Sequence, residues 1–118
     1  MPTIVVLGQQ FGDGERARLV PGLIKALTSV AQLEVAPSHV VIHFLTVATY
    51  TSDLTRSRPS PVAAFVYLQR KPGRTPGIIR EVIDRVGAII VGECEKGTKI
   101  SIRVRRGEAD DFGLLTVE

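Results

Sequence analysis

The sequence predicts an α/β (α+β) fold: two consecutive strand-helix-strand units forming one four-stranded mixed sheet with two helices on one face. Three observations carry this. β-branched runs and amphipathic helical stripes follow one another in the order strand, helix, strand, twice over. Offsetting the chain by 59 residues lays Pro2 on Pro61, Val20 on Ile79 and Ile24 on Ile83. A break in composition from Ala48 to Pro61, rich in Thr, Ser, Arg and Pro, separates the two halves. At 118 residues the chain is expected to form a single domain, 1–118, with pseudo-repeats 2–47 and 61–105 and a C-terminal tail 106–118.

Thr3 to Leu7 is a β-branched run ending at Gly8, and Gly12, Asp13 and Gly14 supply turn chemistry before a helical pattern. Leu19, Leu23, Leu27 and Val30 then recur at three- and four-residue steps, the spacing of one helix face. Pro21 removes a backbone donor inside this stretch, which places the start of regular helix near residue 20. Ser38 to Val47 reads as a second strand, largely buried. Val62 to Leu68 reads as the third, and Gly73 and Pro76 mark the turn after it. Ile79, Val82, Ile83, Val86, Ile89 and Ile90 form the second helical stripe. Ile100, Ile102 and Val104 alternate with Ser101, Arg103 and Arg105, as a half-exposed strand would. Two helices cover one sheet face, so the aliphatic opposite face is expected to be covered by other copies of the chain.

Composition narrows the function classes. The longest apolar runs are too short to span a bilayer, and no basic leader precedes a long apolar stretch, so a cytoplasmic protein with no membrane partner is expected. A lone Cys94 with only His39 and His43 supports neither a disulfide framework nor a metal centre, and no cofactor is implied. A net charge of +3 favours anionic partners. Aromatics make up 5% of the chain and Trp is absent, which leaves little platform for stacking bases, so nucleic acid is not the expected partner.

Pro2 is the first residue with chemistry to offer. Removal of Met1 would leave a secondary amine at the end of a strand, where burial and nearby cations both favour the unprotonated form. A free amine near neutral pH is a general base. Many chains begin Met-Pro, so the meaning of Pro2 depends on its surroundings. At the end of the third strand, Arg70 and Arg74 flank a Lys-Pro-Gly turn. Paired guanidinium groups bind a carboxylate through parallel charge-assisted bonds, although the same segment also reads as a solvated basic turn.

Met1-Pro2-Thr3-Ile4, the following strand and helix, Ala36-Pro37 and the next strand resemble the tautomerase superfamily of 4-oxalocrotonate tautomerase and macrophage migration inhibitory factor. The doubled length and the segment from Tyr67 to Arg74 are similar to its dehalogenase and malonate semialdehyde decarboxylase branches. The resemblance implies a homotrimer in which Pro2 is catalytic, Arg70 and Arg74 bind a small carboxylate substrate, and proton transfer interconverts enol and keto forms. It also implies lesser roles for three residues. Asp111, in Asp110-Asp111-Phe112-Gly113, falls where the dehalogenase carries a water-activating carboxylate. His39 falls near the decarboxylase's aspartate. Arg103 stands where the dehalogenase has a tyrosine and would face substrate. Hydration with dehalogenation, or decarboxylation, are therefore alternative chemistries. An alternative of another class is a non-enzymatic ferredoxin-like module that binds RNA or a ligand through Arg103, Arg105 and Arg106.

Overall fold

The computed structural model describes residues 2–50, 52–54 and 59–107. Strand β1 (Thr3–Gly8) leads through a short loop to helix α1 (Asp13–Thr28). Two 3-10 turns, Ala31–Leu33 and Pro37–His39, precede β2 (Val41–Thr46). The second unit contributes β3 (Val62–Gln69), α2 (Pro76–Val91) and β4 (Ile100–Gly107). The sheet order is β2-β1-β3-β4, with β1 parallel to β2, antiparallel to β3, and β3 parallel to β4. The fold class read from the sequence is therefore the one adopted.

Alternation sets the two faces. Ile4 and Val6 of β1, and Val62, Ala64, Val66 and Leu68 of β3, are buried in one cluster with Leu19, Leu23 and Leu27 of α1 and Val82, Val86 and Ile90 of α2. Each fully buried aliphatic side chain contributes about 1.5–3 kcal/mol relative to exposure, so this cluster dominates the stability of the domain. The odd-numbered β1 positions face the other way, together with Phe65 and Tyr67 of β3 and Arg103 and Arg105 of β4. No helix long and apolar enough to cross a membrane occurs among the described residues.

Two boundaries differ from the expectation. Helix α1 starts at Asp13, a full two turns before residue 20, and runs through Pro21. Its first turn supplies its own stabilisation. The Gly12 amide donates to Glu15 Oε1 at 3.0 Å, and the Arg16 amide donates to the Gly12 carbonyl at 2.9 Å. Pro21 lies on the exposed side, where its ring meets solvent. The second strand begins at Val41 instead of Ser38, because Pro37, fixed in φ, opens a 3-10 turn that ends at His39.

The two units are not copies in every part. Thr3 and Val62 open β1 and β3, and Val41 and Ile100 open β2 and β4, an offset of 59 in both cases. Buried helix positions keep that offset, Leu23 with Val82 and Leu27 with Val86. The helix bounds do not: Asp13 and Pro76 differ by 63, so α2 starts and stops one turn later. The loop before α2 is lengthened, and the connection before β2 is longer than its counterpart before β4. Both lengthened loops lie at the same end of the sheet.

Candidate active site

Strand polarity brings three termini together. Because β1 and β2 are parallel and β3 runs against them, the start of β1, the start of β2 and the end of β3 share one end of the sheet. Pro2 sits at this end, half-buried. Its carbonyl accepts from the Val41 amide at 3.0 Å, which holds it against β2. A small cavity of about 140 Å³ opens beside it. The connection before β2 contributes Glu34, Val35 and His39, and the end of β3 with its following turn contributes Gln69, Lys71 and Arg74. With roughly 30 Å³ for each water in the liquid, this is room for a molecule of a few heavy atoms.

Arg74 is 6% exposed. Its Nη1 donates to the Gln69 carbonyl at 2.5 Å and its Nη2 to the Leu33 carbonyl at 2.9 Å, so the guanidinium links the end of β3 to the first 3-10 turn. A bond from a charged donor to a carbonyl contributes about 1.5–3 kcal/mol. Nε is buried without a partner among the described residues. Burial pushes the guanidinium's pKa down, and the nearby Glu34 carboxylate acts in the opposite direction. Guanidinium keeps its proton at any physiological pH, so the cavity carries a fixed positive charge. Glu34 itself has φ 54° and ψ 44°, the left-handed conformation, at the end of the Ala31–Leu33 turn. The main chain reverses there and brings residue 34 to the cavity edge.

The expected site residues divide. Pro2, His39 and Arg74 line one cavity. Arg70 does not: its side chain is exposed, and its amide donates to the Gly107 carbonyl at 2.8 Å, which extends the β3–β4 pairing past Gln69. Arg103 pairs with Phe65 on the open face of the sheet, turned by strand alternation away from Pro2's cavity. Asp111 lies outside the described residues, as do Arg56 and Arg58 of the 48–61 connection. Glu34, Lys71 and Gln69 went unnoticed in the sequence as cavity residues. The unequal length of the connecting loops in the two repeats was the signal that would have drawn attention to them. Arg106, read from sequence only as part of a basic surface, donates from Nη1 to the Arg74 carbonyl at 3.4 Å.

The equivalent end of the second unit is built differently. Fifty-nine residues after Glu34 stands Glu93, which accepts from Arg18 Nε and Nη2 at 2.8 and 3.0 Å. Pro61, the counterpart of Pro2, is an internal residue whose nitrogen is an amide. Among the described residues no group of three or more His, Cys, Asp or Glu is placed to hold a metal ion.

Neither a family model nor a curated protein matches the chain by sequence. Solved structures do match by fold. The macrophage migration inhibitory factor-like protein of Entamoeba histolytica superposes with a TM-score of 0.73 at 11% identity, covering 96% of this chain and 94% of that one. FG41 malonate semialdehyde decarboxylase inhibited by 3-bromopropiolate gives 0.65 at 15% identity, with 100% of this chain and 91% of the other covered. A fused 4-OT in a symmetric trimer gives 0.69 at 15% identity, over 95% and 90%. These likenesses establish the fold: the chain is built as the tautomerase-superfamily structures are.

Proposed function

We propose that the chain is a tautomerase-superfamily enzyme in which Pro2, once Met1 is removed, transfers a proton on a small carboxylate that carries an enol, keto or unsaturated group. The observation that supports this best is the placement of Pro2 in one small cavity with Lys71 and Arg74. In its free-base form the amine accepts the enol O–H proton and returns it to the adjacent carbon, so that the C=C–OH unit becomes CH–C=O with no net gain or loss of atoms. Fixed positive charge beside the amine disfavours its protonation and attracts the acid. The solved relative inhibited by 3-bromopropiolate is consistent with a small carboxylate as the class of ligand.

A second chemistry in the same cavity, decarboxylation of a 3-oxo acid, is favoured by one observation: His39 lines the cavity with Pro2 and could donate the proton that replaces the lost carboxyl group. The fused 4-OT structure is a symmetric trimer, which supports assembly of this chain as a homotrimer; the exposed Leu45 and Tyr67 make the open sheet face the surface suited to it.

The test compares Met1-free protein, verified by intact mass, with chain that retains Met1. Each is assayed for exchange of the pyruvate methyl protons in D2O and for ketonisation of phenylenolpyruvate. Activity confined to the Met1-free form is expected, since Met1 turns the Pro2 nitrogen into an amide with no basic lone pair. Equal activity in both forms would remove Pro2 from the mechanism.

A further inference from the structure

We propose that the two cations of the cavity have separate tasks, Lys71 receiving the substrate carboxylate while Arg74 is a positioning residue that braces the cavity walls and meets no substrate atom. The inference rests on the proton-transfer reading above and adds to it the identity of the anion contact.

Arg74 is committed to the main chain on both sides. Nη1 holds the Gln69 carbonyl and Nη2 the Leu33 carbonyl, five and 41 positions away in sequence. A carboxylate grips a guanidinium in parallel through either Nη1 with Nη2 or Nε with one Nη. Either fork shares an Nη that already gives one N–H to one of these carbonyls, and the unpartnered Nε is itself buried out of a ligand's reach. At 6% exposure the group also offers almost no surface to a ligand. The Arg74 carbonyl accepts from Arg106, and its amide donates to the Lys71 carbonyl at 3.0 Å, so its backbone is held as well as its side chain. The carbonyls it joins precede Glu34 in one wall and close β3 in the other, and both walls line Pro2's cavity.

Lys71 has the opposite character. It lines the same cavity, its side chain is exposed, and no hydrogen bond or ion pair occupies its ammonium among the described residues. An ammonium on a flexible four-carbon stem reorients toward an incoming anion without breaking an existing contact. The Arg74 charge, with no carboxylate bonded to it, adds to the field that draws the anion in. Glu34 and His39 are the other ionisable groups around this space.

The experiment follows methyl-proton exchange in D2O by NMR on Met1-free protein, with pyruvate and its uncharged isostere pyruvamide as probes. Lys71→Met is expected to raise KM for pyruvate roughly 10- to 100-fold with kcat within about twofold, the loss of one charge-assisted bond. Thermal stability should be unchanged, the pyruvamide KM should rise far less than the pyruvate KM, and Lys71→Arg should restore most of the affinity. Arg74→Gln is expected to lower kcat for both probes by the same factor, because the acid and the amide need the same walls, with the loss of long-range attraction showing only in the pyruvate KM. An unchanged pyruvate KM in Lys71→Met overturns the proposal, and so does an Arg74→Gln variant whose kcat falls on pyruvate alone. If Arg74→Gln fails to fold, the Lys71 variants decide it. Absence of pyruvate exchange by Met1-free wild type would instead remove the proton-transfer reading and this inference with it.

Discussion

Arg74 Nη2 and the Leu33 carbonyl meet at 2.9 Å across 41 residues of sequence, and the bond ties the turn after β3 to the connection before β2. Removing the guanidinium leaves the buried Leu33 carbonyl and the partly buried Gln69 carbonyl without their donor, which costs more than the bonds alone. Arg74→Met is expected to lower unfolding stability by about 2–4 kcal/mol, partly offset because a buried charge is also removed. Urea unfolding followed by circular dichroism measures it. Arg74→Lys should recover little, since one ammonium cannot reproduce a planar fork aimed at two carbonyls.

Gly8 closes β1 with φ +144°, and a Cβ built there would stand 2.7 Å from the Pro61 carbonyl oxygen. Both partners in that contact are main chain, so neither can rotate aside. Gly8→Ala is expected to destabilise by on the order of 2–4 kcal/mol through strain and displacement of the two repeats. Gly97 provides the control: its φ is +90° but nothing lies within 4 Å of an added Cβ. Gly97→Ala should therefore cost only the conformational part, about 1 kcal/mol. Denaturant midpoints of the two variants, compared side by side, test the separation.

The strands and buried stripes were legible because they depend on periodicity, and Leu23, Leu27, Val82 and Val86 sit where a 59-residue offset puts them. Pro2, His39 and Arg74 were named through the resemblance, and strand polarity places the three around one cavity. What was not legible depended on backbone geometry or burial. Glu34 adopts φ 54° without being glycine, so nothing in Ala31 to Pro37 announces a reversal. Arg74 carries the composition of a surface turn and is buried by a bond to a residue 41 positions away. Pro21 reads as a barrier to helix, yet the capping of Gly12 by Glu15 establishes the helix before Pro21 is reached.

Arg18 and Glu93 link α1 to the segment after α2, and the paired bonds hold the Glu93 carboxyl below its ordinary value of 4.5. A carboxyl depressed in the folded state contributes stability above its unfolded pKa, and that contribution disappears as pH falls through the folded value. The difference in stability between wild type and Glu93→Gln is thus expected to be present at pH 7, to begin shrinking near pH 4.5 and to vanish at lower pH. Urea midpoints of both proteins between pH 7 and pH 3 check it. A difference that grows on acidification would contradict the pairing. The same difference should decrease with added salt, because the pair lies at the surface.

Leu45 is 52% exposed and Tyr67 46%, both on the sheet face that the helices leave bare. An isolated chain would present there a surface running from Leu45 of β2 across Val5 and Phe65 to Tyr67, which is costly to leave in water and suited to contact between copies. Because Leu45 is already half in solvent within one chain, Leu45→Asp should change the fold and stability of that chain by little, less than about 1 kcal/mol. In an assembly built on this face, however, it buries an unpaired carboxylate at each junction, a change worth several kcal/mol per site. Light scattering coupled to gel filtration is therefore expected to show three chains for the wild type and one for Leu45→Asp, with the same circular dichroism for both. An unaltered mass for the variant would move the interface to another surface. A variant that is monomeric yet retains full activity would show that the cavity at Pro2 is complete within one chain.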